Sequence, residues 1–451
     1  MLEIKDNFDQ IEFEENINFI NKNPIININH LESINENIDD SQNSSIIVES
    51  CYIIDSSDSF LIEENKKGIN EEKRNVLPYI KEDDTKIIEF KKIIGKHKNS
   101  ADFIRDFNSN YFISGGIDNK LILYSSDYQK IKEKKLGYLL FNMNKAKTEN
   151  DNNLDILVTS DVKVYLIKID ENKYKFNNYR ETKIYKFCFE VNNYYYIIGD
   201  ESGCYLFYNI FSKIIQNKKD IQITNKFYNS GVQINKYVIA LTSNRILPKG
   251  EDKLIFFNCL LRQKIYEIEG FSYISSSSSN GLSIINKNED KILLCACKKY
   301  LKCQQNGILL VNFKTGKKET IKHYFYDTGN FEVNCFCQIF ILDKTNNKIL
   351  DDNKITIATD YFLVGGFERK KGKGIIKLYK IINNKNFLET KIEFIQDITF
   401  GKNDIFKGFK GAITNIIQTK NNGNLLITCW DENVYLFSKP NIDYLLFYDK
   451  N

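Results

Sequence analysis

The chain has 451 residues, 42% of them hydrophobic, and its aromatic content is 32 Phe and 27 Tyr against one Trp. This composition is sufficient for a core and favours β-structure, because aromatic and β-branched residues suit strands. No apolar run approaches the ~18 residues that a membrane helix needs, and no secretory signal is visible, so we expect a soluble cytoplasmic protein, the nucleus being an alternative. Its ten cysteines are then expected to be reduced core residues.

Residues 1–77 are predicted to form an acidic, Asn-rich, partly disordered N-terminal segment. Residues 1–75 carry 17 acidic and 6 basic side chains, a net charge of −11, whereas the remainder carries 57 basic and 42 acidic side chains, a net of +15. Two interpretations are open: a solvated tail on a Lys-rich protein, or a tail that lies across the basic body or competes with an anionic partner. Within it, residues 45–55 (SIIVESCYIID) are apolar enough for a strand or a docking segment.

A nine-residue phrase recurs about seven times along the rest of the chain. It is clearest as GIDNKLILY at 116–124 and CWDENVYLF at 429–437, where an aromatic follows a carboxylate by six residues across an apolar stretch. Apolar runs of four to eight residues surround each copy, with roughly 40 residues per group of four runs. This pattern predicts repeated four-stranded units in which the phrase is the third strand. Weaker copies lie at 160–167, 201–209, 251–258, 306–312 and 372–380.

The units resemble the WD40-repeat family, in which a unit opens with a Gly-His pair and ends its third strand with Trp-Asp. Gly95 and His97 stand in the opening position of the first unit, one residue further apart than usual, and Phe409 replaces the His in the last opening, GFKG at 408–411. The resemblance covers about 86–437.

The WD40 resemblance implies an all-β fold with one seven-bladed β-propeller of four-stranded antiparallel blades, over 78–451. Each four-stranded sheet buries its faces against its neighbours around a central axis. Residues 86–94 (KIIEFKKII at its core) are expected to close the ring by pairing with the last blade, 408–438.

The resemblance also assigns a hydrogen-bonded network to the first unit. In a good WD40 unit, a turn Asp, the opening His, a second-strand Ser or Thr and the third-strand Trp are joined. The first unit here offers Asp118, His97, Ser114 and, in place of the Trp, Tyr124. Asp118 and His97 fit a catalytic pair by residue type, but we interpret them as structural, because a buried carboxylate in a tight turn needs donors. The last unit keeps Asp431 but lacks the His, so its network is expected to be incomplete.

Few residues point to catalysis. The chain has three histidines, His30, His97 and His323, which leaves little imidazole for acid and base chemistry. Residues 366–374 (GFERKKGKG) have the wrong glycine spacing for a phosphate loop and no Ser or Thr at its end. We therefore predict that the protein is not an enzyme and needs no cofactor.

Two C-x-C pairs raise the question of zinc. Residues two apart in a strand face the same side, so Cys295 with Cys297 and Cys335 with Cys337 fit packed apolar faces better than a metal site, which usually has C-x-x-C spacing. No metal site is predicted.

The links between second and third strands share one face in the WD40 arrangement and are rich in basic residues in units four to six. They are either ordinary Lys-rich loops or a face that attracts phosphates, anionic lipid headgroups or an acidic peptide. Aromatic residues among them are few, so base stacking on nucleic acid has little support. The residues are Arg245, Lys249, Lys298, Lys299, Lys302, Arg369, Lys370, Lys371 and Lys373.

The sequence thus predicts a non-catalytic protein–protein interaction platform, a scaffold or adaptor that is monomeric by itself and binds protein partners through this face. This functional expectation comes from the resemblance to the WD40 family, because a fold by itself does not determine function. The alternative is an anionic ligand on the same basic loops, either a phosphoinositide membrane or nucleic acid.

Overall fold

Strands account for nearly all of the described part of the protein. The computed structural model describes residues 52–54, 87–106, 111–137, 140–146, 154–160, 163–170, 175–183, 187–191, 195–200, 203–208, 222–224, 228–235, 237–243, 252–259, 261, 263–274, 281–287, 290–300, 306–314, 320–342, 356–382, 386–398 and 406–441. Their one helical element is a 3-10 turn, Phe387–Glu389. These residues include no helix long and apolar enough to cross a membrane. Apart from 52–54, the acidic segment 1–77 lies outside them.

Two strands precede the repeated groups, and group 1 shows why its residues form strands. In the third strand of this group every side chain from Leu121 to Tyr124 is buried, so both faces of the sheet are covered. The tight turn before it contains Asn119, one of the residue types that tolerate a positive φ, here 65°. The strands are β1 (Tyr52–Ile54) and β2 (Phe90–Lys96), then group 1 with β3 (Ala101–Asp106), β4 (Tyr111–Gly116), β5 (Lys120–Ser125) and β6 (Lys130–Lys135).

Groups 2 to 4 repeat the same order of four consecutive strands, each paired antiparallel to the next. Group 2 contains β7 (Leu140–Ala146), β8 (Leu154–Ser160), β9 (Lys163–Asp170) and β10 (Lys175–Lys183). Group 3 contains β11 (Phe187–Val191), β12 (Tyr195–Asp200), β13 (Gly203–Tyr208) and β14 (Gln222–Thr224). Group 4 contains β15 (Tyr228–Gln233), β16 (Val238–Ser243), β17 (Asp252–Asn258) and β18 (Gln263–Ile274).

Groups 5 to 7 continue the pattern, but group 7 takes its fourth strand from early in the chain. Group 5 contains β19 (Leu282–Lys287), β20 (Asp290–Tyr300), β21 (Asn306–Lys314) and β22 (Thr320–Gly329). Group 6 contains β23 (Phe331–Leu342), β24 (Thr356–Glu368), β25 (Lys373–Ile382) and β26 (Lys391–Asp397). Group 7 contains β27 (Ile413–Gln418), β28 (Leu425–Cys429) and β29 (Asn433–Phe437), with β2 antiparallel to β29.

Groups 4 and 5 belong to one nine-stranded sheet, because β18 is long enough to pair with β20 of the next group. The register joins Phe271 to Tyr300 and Ile274 to Cys297. On the far edge of the same sheet, β1 pairs parallel to β22. The other groups each form a separate four-stranded sheet.

The first strands of the groups contact one another in succession. β3 contacts β7, β7 contacts β11, β11 contacts β15, β15 contacts β19, β19 contacts β23, β23 contacts β27, and β27 contacts β3. Apolar side chains from neighbouring groups share cores: Tyr124 of group 1 lies in one cluster with Leu426 and Val434 of group 7. Cys335 of group 6 lies in another with Ile413 of group 7. The prediction of an all-β chain built from repeated four-stranded antiparallel sheets is confirmed.

Candidate interaction site

The residues assigned to a network in group 1 form a continuous chain of hydrogen bonds. Tyr124 OH lies 3.2 Å from Ser114 Oγ, Ser114 Oγ lies 2.9 Å from His97 Nε2, and His97 Nδ1 lies 2.9 Å from Asp118 Oδ1. The Tyr124 ring also stacks on Phe112, with centroids 5.0 Å apart. The side chains of His97 and Asp118 are buried, so the pair has no open face for a substrate.

The turn around Asp118 provides donors to both carboxylate oxygens. Besides His97, the backbone N–H groups of Lys98 and Lys120 donate to it at 2.9 and 3.2 Å. Burial by itself raises the pKa of Asp118, but the hydrogen bond and charge of His97 and the two backbone donors outweigh it and lower the pKa. Asp118 is therefore a carboxylate that holds this turn.

Group 7 has a different network at the equivalent turn. Phe409, which stands where group 1 has His97, is 2% exposed and packs edge-on against the Tyr435 ring with centroids 5.1 Å apart. The Tyr435 hydroxyl donates to Asp431 Oδ2 at 2.6 Å, and the Lys410 N–H donates to the same oxygen at 3.1 Å. The Asn433 side chain donates to the other oxygen at 3.2 Å. The sequence predicts an incomplete network here because the His is missing. Tyr435, which the repeat pattern did not identify, provides the side-chain donor to Asp431 instead.

A second buried carboxylate in group 1 was not identified from sequence. Asp102 Oδ2 accepts hydrogen bonds from Ser100 Oγ at 2.7 Å and from the Ile117 N–H at 3.0 Å. Burial raises the pKa of Asp102 to about 6, with the Ser100 and Ile117 hydrogen bonds acting in the opposite direction. The alternation of apolar and polar residues places Asp102 in a strand but does not reveal that this position is covered.

His323 is also buried, in β22. Its Nδ1 lies 3.3 Å from the Tyr266 hydroxyl, and burial lowers the pKa of His323 to about 4. The imidazole is therefore neutral at physiological pH and packs between groups 4 and 5.

The two C-x-C pairs lie in apolar cores. Cys295 and Cys297 share one cluster with Leu293 and Leu309, whereas Cys335 and Cys337 share the cluster between groups 6 and 7. Burial raises the pKa of the Cys337 thiol to about 12, which opposes the thiolate form that metals bind. The described residues contain no cluster of three or more His, Cys, Asp and Glu side chains suited to a metal ion.

The nine predicted basic residues lie in three links, of which one is described in full. Arg245, Lys249 and Lys302 lie outside the described residues. Lys298 is part of β20, where its backbone pairs with both Tyr273 and Asn306, and Lys299 follows it in the same strand. The last residues of β18 pair with the end of β20, and this pairing keeps Lys298 and Lys299 within a strand.

The link of group 6 is a tight hairpin instead of a long loop. The Gly372 N–H donates to the Glu368 carbonyl at 2.9 Å, and Gly372 has a φ of 62°, which favours glycine. Arg369 forms an ion pair with Glu332, and Lys371 Nζ lies 3.6 Å from Asp397 Oδ2. Lys370 and Lys373 are exposed and have no ion pair with any described residue.

The corresponding turns of groups 7 and 1 continue the surface that begins at this hairpin. Gly374 forms a β-bridge with Phe409, and a Cβ at Gly411 would lie 2.8 Å from Trp430 Cβ, so the link before β27 passes close to both turns. On the other side, the His97 N–H donates to the Glu432 carbonyl at 2.8 Å. The turns of groups 6, 7 and 1 are therefore neighbours.

Two exposed apolar side chains occupy equivalent positions on these turns. Trp430 precedes Asp431 and is 48% exposed, and Ile117 precedes Asp118 and is 38% exposed. Lys410 and Lys98 are equivalent to each other in the same way, because each donates its backbone N–H to the turn carboxylate of its own group. Both lysines are exposed. The sequence pattern placed Trp430 in the repeat phrase but did not show that it faces solvent.

Comparison with protein-family models gives no match, and no curated protein matches the chain significantly.

Proposed function

We propose that the chain is a seven-bladed β-propeller of the WD40 type that acts as a non-catalytic platform for protein partners. The observation that supports it best is the succession of contacts between first strands, which runs through all seven described groups and returns from β27 to β3. Seven groups of four strands that contact one another in succession support a propeller with seven blades. The pairing of β2, from early in the chain, with β29 of the last group supports ring closure in this proposal.

The non-catalytic role is supported by how the ionisable groups are used. The pair that most resembles a catalytic dyad, His97 and Asp118, is buried and bonded to Ser114 and backbone donors. The other described histidine, His323, is neutral and packed between groups. A general base needs access to a substrate proton, and neither imidazole has it.

The alternative, an anionic ligand on the basic loops, gains limited support from the hairpin of group 6. Arg369 and Lys371 are already close to Glu332 and Asp397, which reduces the free positive charge there. Lys370 and Lys373 are the cations of this hairpin that are free to attract a phosphate.

Affinity purification of the full chain from its native cell, followed by mass spectrometry, tests the platform proposal. We expect one or more proteins to co-purify in near-stoichiometric amounts and to resist a rise in salt, as a protein interface with an apolar centre does. In parallel, anionic liposomes and oligonucleotides are titrated with the chain at low and high salt. Steeply salt-dependent binding to these, without any stoichiometric protein, would replace the platform by the alternative.

A further inference from the structure

The turns of groups 6, 7 and 1 form one surface, which we call the Trp430 face. It consists of two exposed apolar side chains and four exposed lysines, which come from these three neighbouring turns and from the links just before β3 and β27. Its residues are Trp430, Ile117, Lys98, Lys410, Lys370 and Lys373.

The lysines of the face outnumber its carboxylates that lack a partner among the described residues, of which Glu368 in the group 6 hairpin, half-buried and opposite Lys373 in the register, is one. Glu332 is bound to Arg369, and Glu432 lies 3.3 Å from Lys96 Nζ. Asp118 and Asp431 are held by the turn donors described above. The four lysines of the face, by contrast, have no ion pair with any described residue. A ligand with several carboxylates meets a net attraction from the four lysines, which Glu368 reduces in part.

The same pair of one apolar and one basic side chain occurs at equivalent positions in groups 7 and 1. Trp430 with Lys410 in group 7 and Ile117 with Lys98 in group 1 occupy the same positions of the repeat, each next to its turn carboxylate. In an extended peptide every second side chain faces the same way, so one face of a short segment can present apolar and acidic side chains together. An exposed tryptophan is also the residue type that most often dominates the energy of a protein interface.

We propose that the Trp430 face binds an acidic peptide segment of a partner protein, whose apolar side chains contact Trp430 and Ile117 while its carboxylates pair with the lysines. The inference rests on the proposed platform function and gives it a location and a partner chemistry. Nucleic acid fits less well, because Ile117 offers no aromatic plane on which a second base could stack. Glu332 and Glu432 are paired with Arg369 and Lys96, and Asp118 and Asp431 are held by the hydrogen-bond donors of their turns, which leaves the four lysines available.

The test exploits the fact that Trp430 is the single tryptophan of the chain, so tryptophan fluorescence reports directly on this face. Peptides are selected from a random displayed library on the full chain, synthesised with a fluorescein label, and titrated. We expect enrichment of acidic peptides with aromatic or aliphatic residues, a change in Trp430 fluorescence on binding, and an affinity that falls as salt rises.

Variants then locate the site by fluorescence anisotropy of the labelled peptide. We expect Trp430→Ala to weaken binding about 10- to 100-fold and Lys410→Glu about 10-fold. Leu261→Ala and Lys314→Glu are the matched controls, because both side chains are exposed and both lie at the end of a third strand opposite to its turn: Leu261 follows β17, and Lys314 is the last residue of β21. We expect these two controls to bind like the wild-type chain. Circular dichroism of all four variants verifies folding.

The outcomes separate the two proposals. Selected peptides that bind Trp430→Ala and Lys410→Glu as well as the wild type would overturn the Trp430 face and leave the platform function standing. A library that yields no binding peptide would count against both. The third outcome is that acidic peptides do not bind but a single-stranded oligonucleotide changes Trp430 fluorescence. That result would identify nucleic acid as the ligand of the Trp430 face instead.

Discussion

The Tyr435 hydroxyl lies 2.6 Å from Asp431 Oδ2 and gives group 7 the side-chain donor that His97 provides in group 1. Burial, and then the neighbouring Asp431, raise the pKa of this hydroxyl, so it stays protonated and able to donate. The Phe409 and Tyr435 rings pack edge to face, nearly perpendicular to each other. The first and the last group thus both have a turn carboxylate, but its side-chain donor is a His in group 1 and a Tyr in group 7.

Tyr435→Phe removes that donor and leaves the Asp431 carboxylate with fewer hydrogen bonds. We expect the free energy of unfolding to fall by about 1–3 kcal/mol, the usual cost when a charged acceptor loses a buried partner. Tyr124→Phe is the comparison, because the Tyr124 hydroxyl faces the neutral Ser114 and its loss is expected to cost about 1 kcal/mol. Urea unfolding followed by circular dichroism measures both. Equal costs would argue against a special role of the Tyr435 hydroxyl.

Phe90→Ala weakens the attachment of β2 to group 7. The Phe90 ring packs against Phe406 and Phe437 with centroids 4.8 and 5.6 Å apart, so its removal leaves a cavity beside β29. We expect a loss of about 2–4 kcal/mol and a lower melting temperature. The control is Ile93→Ala in the same strand, where the side chain is 50% exposed and a change below about 1 kcal/mol is expected. Similar melting of the two variants would contradict the role given to β2.

Asp102→Asn is predicted to stabilise the protein at neutral pH. The folded-state pKa of Asp102, about 6, exceeds its ordinary value of 3.8, so the folded protein binds this proton more tightly than the unfolded chain. Through this group, stability is greatest below about pH 4 and falls as the pH rises to about 6, by about 3 kcal/mol at ~1.4 kcal/mol per pKa unit.

An asparagine in place of Asp102 keeps an oxygen for the Ser100 and Ile117 donors and carries no charge at any pH. The variant should therefore lose this pH dependence and be more stable than the wild type at pH 7. The measurement is the free energy of unfolding in urea from pH 4 to pH 8. A variant less stable than the wild type at pH 7 would show that the ionised carboxylate is favourable in its surroundings.

His323→Phe should alter the pH dependence in the opposite sense. The folded-state pKa of about 4 is below the ordinary 6.5, so the unfolded chain binds the proton more tightly and stability is lost as the pH falls from about 6.5 to about 4. The variant keeps the ring volume, loses the contact with the Tyr266 hydroxyl, and should be less sensitive to acid over this range. The same urea series on the double variant with Asp102→Asn shows whether the two effects add, as they should for sites in different groups of strands, 1 and 5.

The repeat of apolar runs determined the strand content and the grouping of strands in fours, because the alternation of apolar residues in a strand is a local property of the chain. It also identified the phrase that becomes the third strand: the apolar cores of 116–124 and 429–437 are β5 and β29. The turn carboxylates Asp118 and Asp431 could be read from the same phrase.

The tertiary structure alone decided which partner each polar side chain contacts and how far it is buried. The Tyr435 hydroxyl bonds to Asp431 while its ring packs against Phe409, which comes from another part of the chain. The ion pair of Arg369 depends on Glu332 in β23, and the raised pKa of Asp102 depends on its burial. The exposure of Trp430 beside Lys410 is likewise a result of how group 7 packs on its neighbours. Periodicity describes which face of a strand is apolar, but the pairing and solvent access of a side chain depend on residues distant in sequence, and only packing brings these together.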